Sequence, residues 1–539
     1  MSNARLQSGG RIDRSRPLTF TFDGRTLQGF AGDTLASALL ANGVERVTTS
    51  QRYGRPRGLF GAGVEEPNAL VQIEEPFPEP MLTATTVELY DGLVARSLAG
   101  KGRLADVGDP ARYDATHAHC DVLVVGGGPA GLSAARVAAR SGVRVLLIDD
   151  QPELGGSLLG DTAELDGAPA AEWAADVARQ LAESPNVRVL TRTNALGIYD
   201  ENYVIALEHR TDFLGAAAPE NVARQRIWRI RAKQVVLATG GHDRPITFAD
   251  SDRPGVLLAA AARTYLNRYA VLPGKDVVVF TTNDSAYAAA LDFRRAGATV
   301  TVVDARATAP AEEVKRCADA GIEVLSGQVV TGVSGVERVT SASVAPFSNG
   351  SVAEGNKDIA CDLLLVSGGW NPALQLVSQS GSTIAYDAER AMVLPANVKA
   401  GTHVVGSVNG TLALAGCLAE GARAGAEAMR LAGGQAADVP LPSAEEVAGE
   451  APLALWYVPH PGEQDPYASH FLDLQRDATV ADVLRGTGAG LRSVEHVKRY
   501  TTIGTAHDQG RTSNLLTSGV VASATGLDVL ELGVSSYRP

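Results

Sequence analysis

Residues Asp121-Val-Leu-Val-Val-Gly126-Gly127-Gly128-Pro129-Ala130-Gly131-Leu132 decide the fold. The apolar run reads as a buried strand, the glycines as a tight turn, and Leu132–Ser141 as the helix that follows. A second apolar strand, Arg144–Ile148, ends at Asp149-Asp150. Gly126 permits the sharp turn, Gly128 lets a pyrophosphate approach the backbone, and Gly131 lets the helix pack on the strand. The helix N-terminus offers free N–H groups and the positive end of its dipole to phosphates. Asp149 or Asp150, about 20 positions on, is placed to accept hydrogen bonds from an adenosine ribose. An acid there also disfavours a 2′-phosphate. The spacing therefore predicts a dinucleotide site. Gln151-Pro-Glu-Leu-Gly-Gly156-Ser157 follows at once. Such a loop lies along the cofactor in proteins with two dinucleotide domains; the alternative is an ordinary Gly-Gly turn.

A second unit of the same kind starts at the strand Lys275–Phe280 and closes at Thr299-Val-Thr-Val-Val303-Asp304. Its turn reads Thr281-Thr-Asn-Asp-Ser-Ala286, with none of the three glycines. Asp284 places a negative charge where a pyrophosphate would sit. The fold unit is kept and the cradle is lost, so this unit is not expected to dock NAD(P)H. A third clue is Thr402-His-Val-Val-Gly406-Ser407-Val408-Asn409-Gly410. FAD proteins of this architecture usually carry Gly-Asp here, and the carboxylate holds a ribityl hydroxyl. Ser407 stands at the Asp position, which tilts the first site from FAD towards NAD. Gly240, in Ala238-Thr-Gly-Gly241, marks the expected cofactor edge. His242 follows it, and His496 and His507 flank Lys498-Arg-Tyr-Thr-Thr502. Each is a candidate acid or base, with a structural or surface role as the alternative. Lys498-Arg499 with Arg511 reads either as an anion-facing patch or as a solvated face.

The chain around these motifs has 539 residues, enough for three or four domains. Apolar residues are 45%, charged residues 20%, and the net charge is −13. That is a folded, acidic chain, which argues against a general binder of nucleic acid or anionic membranes. No apolar run approaches the roughly 20 residues needed to span a bilayer, and the N-terminus lacks the apolar core of a signal peptide. The four cysteines, Cys120, Cys317, Cys361 and Cys417, are too far apart for a CxxC knuckle or an Fe–S ligand run. No metal site is expected. A disulfide framework is not expected either, and a reducing cytoplasm is the default.

Residues 1–16 read as a mobile N-terminus. Leu18–Phe22 and Arg25–Phe30 form a predicted hairpin about Asp23-Gly24, followed by a helix capped by Asp33. This start suggests a β-grasp-like module over 17–100. A connector over 101–119 leads to the cofactor domain at 120–245 and 325–435. The degenerate second dinucleotide domain is expected at 246–324. A linker over 436–452 precedes a small helical module at 453–539. The predicted class is α/β, with a Rossmann-type core of two dinucleotide domains like those of flavoproteins.

The chain resembles the α subunit of heterotetrameric sarcosine oxidase. The matching runs are Gly54-Arg-Pro-Arg-Gly58, Gly126–Gly131, Ala238-Thr-Gly-Gly-His-Asp-Arg-Pro245, Asp252-Arg-Pro-Gly255, Arg263-Thr-Tyr-Leu-Asn-Arg-Tyr269, Ser493-Val-Glu-His-Val-Lys-Arg-Tyr-Thr-Thr502 and Asp508-Gln-Gly510. They span nearly the whole chain in order, and the third-last and second-last are far more specific than a Gly-rich loop. The resemblance implies that the N-terminal module is a 2Fe-2S ferredoxin fold that lost its cluster. The expected cysteine loop here is Gly58-Leu-Phe-Gly-Ala-Gly-Val-Glu-Glu66. It also implies NAD, not turned over, in the first site. Carried over residue by residue, its contacts fall on Ala130, Asp149, Asp150, Gln151, Ser157, Ala195, Ser407 and Leu412, beside the motif residues Gly126, Gly128, Pro129, Gly131, Gly240 and Gly410.

By the same resemblance, amine oxidation belongs to a β subunit carrying FAD and covalent FMN, with γ and δ subunits completing the assembly. The reaction takes sarcosine, oxygen and tetrahydrofolate to glycine, hydrogen peroxide and 5,10-methylenetetrahydrofolate. The family's folate-binding, aminomethyltransferase-like domain is expected to begin near Pro539, so no folate chemistry falls on these residues. Catalytic residues of this chain are left unassigned. Three alternatives stand beside this reading. One is the α subunit of an N-methyl amino acid or opine oxidase; relatives of that kind with an Fe–S centre cluster cysteines near the C-terminus, and 453–539 has none. Another is an autonomous FAD-dependent NAD(P)H oxidoreductase. The third is a structural subunit with an empty site.

Overall fold

The computed structural model describes residues 4–435, 439–445, 449–460, 466–534 and 537. The parallel strands Val145–Ile148 and Tyr113–Val125 lie at the heart of the first sheet, with Val187–Leu190 outside them. Val122 to Val124 are fully buried, as expected of a parallel strand covered on both faces. Gln225–Leu237 runs alongside Tyr113–Val125 over almost its whole length. It then pairs with Thr402–Val404 at one end, and leads into the antiparallel strands Tyr203–His209 and Thr193–Tyr199 at the other. Residues 113–119 are thus sheet rather than connector. The residues before Cys120 give no sign of this, because the stretch is paired yet mostly solvent-facing.

The second sheet is wholly parallel, in the order Val256–Leu258, Leu363–Ser367, Asp276–Thr281, Thr299–Asp304, Glu323–Ser326. Leu363–Ser367 sits between its first and third strands. The second domain therefore runs on past 324, to about 367, which corrects the expected return to the cofactor domain at 325. The intervening meander, Gln328–Ser334 with Ser341–Ser348 and Lys357–Ala360, is an excursion from this domain. Sequence periodicity cannot show which sheet a short apolar strand joins.

The N-terminal module is a five-stranded sheet with the helix Leu35–Ala41 fully buried against it. The cap is Thr34, not Asp33: Thr34 and Ser37 exchange a capping box. Asp33 instead accepts from Ser37 Oγ and from Arg5. Arg5 also donates to the carbonyl of Tyr269, and the Leu6 N–H to that of Ala270. Residues 4–12 are therefore tied to two domains, against the expectation of a mobile arm; residues 1–3 lie outside the described residues. The predicted linker is tied as well. Ser443 N donates to Asp166 and Glu450 N to Asp284, while 436–438 and 446–448 lie outside the described residues.

One apolar core joins the N-terminal module to the second domain. A second core joins one face of the first sheet to the C-terminal module, built from the hairpin Phe471–Asp473 with Ala478–Thr479 and the helices Val480–Gly488, Val494–Thr501 and Asn514–Thr525. The third covers the other face with Pro129–Ala139, Ala170–Glu183 and Leu414–Leu431. All four cysteines are buried. Burial pushes the thiols of Cys120, Cys361 and Cys417 up to about 12 and that of Cys317 to about 11, which keeps them unreactive. No helix among the described residues is long and apolar enough to cross a membrane.

His470 supports a pH prediction. It is 1% exposed, and burial, helped by neighbouring His460, lowers its pKa from 6.5 to about 4. The folded state holds it neutral, so its contribution is full above pH 6.5 and declines as the pH falls towards 4. The loss is on the order of 3 kcal/mol. Buried carboxylates titrate in the same range with opposite slope. The expected result is therefore a difference: denaturation curves of His470→Gln lose less stability than wild type between pH 6.5 and 4.

Candidate dinucleotide cleft and its neighbours

The three glycines of the first turn do different work. Gly126 has φ +103°, and a Cβ there would lie 2.3 Å from the Ala238 carbonyl oxygen. A Cβ on Gly131 would lie 1.8 Å from the Gly126 carbonyl oxygen, so helix and turn meet with no room to spare. Gly128 is the helix N-cap, with Pro129 at the first helical position. A Cβ on it would meet only Gly156 Cα, at 3.9 Å. The space above Gly128 is open, and the helix N-terminus faces it. A pyrophosphate fits there.

The loop after the second strand closes over this turn. Gly155 N donates to the Gly127 carbonyl, and Ser157 is exposed on the short 3₁₀ turn Gly156–Leu159. Asp149 is buried, and its carboxylate accepts from Gly127 N and Gln151 N. Burial, then the adjacent Asp150, pushes it up to about 7. Asp149 thus holds the turn, while Asp150 is the exposed one. Gln151 Oε1 accepts from Arg268.

On the opposite side, Ser407 lies in the 3₁₀ turn Gly406–Asn409, which ends at Gly410 with φ +82°. Glu420 fastens this turn by accepting from Gly406 N and Thr411 Oγ1. A Cβ on Gly240 would lie 4.0 Å from Ser407 Oγ, so the two predicted edges meet. Ala130 is buried against the same turn and against Leu414–Leu431. Ala195 is half-buried in Thr193–Tyr199, and Leu412 is 46% exposed. A cavity of about 980 Å³ opens beside Asp150, Gln151, Arg192 and Asn194 and reaches Arg268 and Arg511.

The second turn is blocked. Arg306 donates to Asp284 and Asp304, and Glu450 N donates to Asp284. Leu453 N donates to the Thr282 carbonyl, and Trp370 Nε1 to Ser285 Oγ. The N–H donors a second pyrophosphate would need are taken within the protein, Thr282 N by the Ser367 carbonyl, Asn283 N by Thr281 Oγ1 and Ser285 N by Asn283 Oδ1. The acidic Asp284 stands at the helix N-terminus, so such a ligand does not fit.

The predicted acid–base residues separate. His496 and Arg499 are exposed on Val494–Thr501, whereas His507 and Arg511 line the cavity. Lys498 pairs with Glu495 of its own helix. His242 lies at the end of Gly240-Gly241, 3.8 Å from Glu65 Oε2. Sequence reasoning misses Glu65, although the absence of cysteine from its loop is plain. Within that loop Glu65 accepts from Ala62 N and Gly63 N, and Glu66 accepts from Phe60, Gly61, Asn68 and Ala69 N.

Arg263-Thr-Tyr-Leu-Asn-Arg-Tyr269 explains itself physically. Arg263 pairs with Asp161 and Asp292, Tyr265 OH donates to the Gly61 carbonyl, and Arg268 reaches Gln151. One short helix so holds the N-terminal loop, the second domain and the cofactor loop together.

Comparison with known proteins agrees with this layout. Residues 15–100 match the 2Fe-2S iron-sulfur cluster binding domain, and 467–539 the sarcosine oxidase A3 domain. The cluster does not fit this chain: the loop has no thiolate, and two carboxylates take its N–H donors. The chain is 45% identical to the sarcosine oxidase alpha subunit of Corynebacterium sp. (strain P-1) over 99% of its length and 56% of that protein's. It is 38% identical to the corresponding protein of Rhizobium meliloti (strain 1021), spanning 58% of it. The chain thus covers little more than half the length of these curated relatives. An opine oxidase subunit of Agrobacterium tumefaciens (strain Ach5) is 25% identical over 72% of the chain and 83% of that protein. The fold is that of L-proline dehydrogenase from P. horikoshii, with a TM-score of 0.72 at 22% identity, covering 98% of this chain and 96% of that one. Residues 120–398 match the pyridine nucleotide-disulphide oxidoreductase family, and with more than half its length in that match and the cradle in place, the chain belongs to that family.

Proposed function

We propose that this chain is the α-subunit scaffold of a sarcosine-oxidase-like complex and that its cleft holds one NAD that is not turned over. The observation that carries the reading is the 45% identity to the sarcosine oxidase alpha subunit over 99% of the chain. The complex would take sarcosine, oxygen and tetrahydrofolate to glycine, hydrogen peroxide and 5,10-methylenetetrahydrofolate. FAD and covalent FMN would sit on the β subunit, with γ and δ subunits completing it, and folate would be handled outside these residues. The opine oxidase protein is the more distant relative, and the α subunit of an opine oxidase is the second reading.

The residues assigned to the nucleotide have distinct tasks. Gly126, Gly128, Pro129 and Gly131 shape the pyrophosphate seat at the N-terminus of Pro129–Ala139. Asp150 is the ribose acceptor, because Asp149 is committed to two backbone N–H groups. Gln151, Ala195 and Ser157 line the adenosine end and the near wall. Gly240, Ser407, Gly410 and Leu412 form the far wall. Ser407 in place of an acid favours a ligand without a ribityl chain, hence NAD over FAD. NAD supplies hydride-accepting chemistry where a redox partner docks beside it. Here the blocked second turn leaves no seat for NADH, and the chain's residues bind and enclose the nucleotide.

Denaturation followed by mass spectrometry tests this. The expected supernatant is colourless and contains NAD; a yellow extract carrying flavin would overturn the assignment. NADH added to the isolated chain is expected to keep its near-ultraviolet absorbance band, because binding at a site without its phosphate cradle is lost. Rapid bleaching would show a working second site.

A further inference from the structure

The loop 58–66 is where a ferredoxin-like module gathers backbone N–H groups around a metal cluster. In this chain the gathering is complete without one. Glu66 is 0% exposed and collects four N–H groups, two through each carboxylate oxygen. Two further N–H groups turn to Glu65 Oε1. The loop is anchored from outside by Tyr265 OH on the Gly61 carbonyl and by Leu258 N on the Phe60 carbonyl. Its geometry is therefore fixed from inside by an anion and from outside by two hydrogen bonds.

That rigidity has a direction. With Oε1 bound to the loop, the other oxygen, Oε2, is the one that faces His242 Nδ1, at 3.8 Å. This is ion-pair range, longer than a hydrogen bond. Both side chains are largely buried, at 15% and 13% exposure. His242 is paired through its strand with Asn371, and stands 6.3 Å from the ring of Tyr537. Arg511 covers the same Tyr537 ring at 4.9 Å and lines the cavity. Among the described residues, the charged or titratable groups that face His242 are Glu65, Arg511 and Tyr537. Burial lowers the histidine's pKa most, Glu65 raises it and Arg511 lowers it.

We propose that Glu65 is a positioning residue for His242 at the head of the dinucleotide cleft, delivered there by a loop organised on the Glu66 carboxylate in place of a metal cluster. This rests on the reading of that cleft as a nucleotide site. Glu65 favours the tautomer with the proton on Nδ1, which leaves Nε2 an acceptor. The ligand group it suits is an N–H or O–H donor at the end of the nucleotide remote from adenine; a nicotinamide carboxamide supplies one.

The test is Glu65→Gln in the full chain, purified with whatever subunits accompany it. The first readout is the titration of His242 by imidazole ¹H–¹⁵N spectra, which needs no assumption about the nucleotide. Loss of the carboxylate is expected to lower the His242 pKa by about one unit, leaving Arg511 unopposed. The second readout is nucleotide retention after dialysis, expected to fall about tenfold. His242→Gln is expected to give the same loss, and the double variant no further loss. An unchanged His242 titration in Glu65→Gln, or additive losses in the double variant, overturns the proposal. If Glu65→Gln fails to fold, Glu65→Asp keeps the charge and shortens the reach, with the same titration as readout. A flavin in the cleft would sink the NAD reading while leaving the His242 titration to decide this one.

Discussion

Replacing Gly128 with valine is expected to empty the nucleotide cleft while leaving the apo fold standing. The reason is the direction of free space. A Cβ at Gly128 meets only Gly156 Cα, at 3.9 Å, so a branched side chain is accommodated by the protein and projects into the seat of the pyrophosphate. Nucleotide content after purification should fall at least about tenfold, the result of losing close backbone approach. Thermal stability should fall by the lost binding contribution, about 2.7 kcal/mol at a ligand concentration 100 times Kd. Stripped wild type and Gly128→Val should then melt together. Gly131→Val is the contrasting variant. Its Cβ would lie 1.8 Å from the Gly126 carbonyl oxygen, so it should destabilise the apo protein as well. Full nucleotide content in Gly128→Val would refute the assignment of the first cradle.

That contrast also marks what is legible in the residues alone. The glycine turn, the strand–helix–strand order and the terminal acids are readable because their physics is local. The choice between Asp149 and Asp150 is not, since it depends on which carboxylate the backbone N–H groups of residues 127 and 151 reach. The loss of the second cradle is legible in Thr281–Ala286. The chain that covers it, Glu450 to Leu453, comes from about 165 residues away and leaves no local sign. The absent cysteines of the loop 58–66 are plain, but their replacement by Glu65 and Glu66 is not. An acidic pair in a loop is ordinarily solvated, and only the fold reveals that six N–H groups converge on it. The boundary at 325 fails for a similar reason. Leu363–Ser367 is apolar enough for either sheet, and its neighbours are set by tertiary pairing.

Arg57→Ala should be the most damaging single change to stability, at about 3–5 kcal/mol. Gly54-Arg-Pro-Arg-Gly58 and Asp252-Arg-Pro-Gly255 both belong to the runs that carry the family resemblance, and the fold shows why they go together. Arg57 has a side chain 1% exposed and forms ion pairs with Asp252 and Asp477, whose side chains are 0% exposed. Arg55 also pairs with Asp252. Both guanidiniums lie over the ring of Phe471, that of Arg57 at 5.1 Å and that of Arg55 at 4.9 Å. Asp477 further accepts from Arg52 N and Tyr53 N. The N-terminal module, the second domain and the C-terminal hairpin thus meet on one buried charge. Removing it leaves Asp477 buried with two backbone N–H donors and no cation, and leaves Asp252 to Arg55 alone, which is the costly half of a buried pair. Arg57→Lys keeps the charge but not the fork that spans both acids, so its cost should be intermediate. Adding Asp477→Asn to Arg57→Ala removes one stranded charge and should recover part of the loss. Urea denaturation of wild type, Arg57→Ala, Arg57→Lys, Asp477→Asn and the double variant measures this. If the double variant were as unstable as the sum of its single changes, Asp477 would not depend on Arg57, and the C-terminal hairpin would have to be held at this junction by its other contacts.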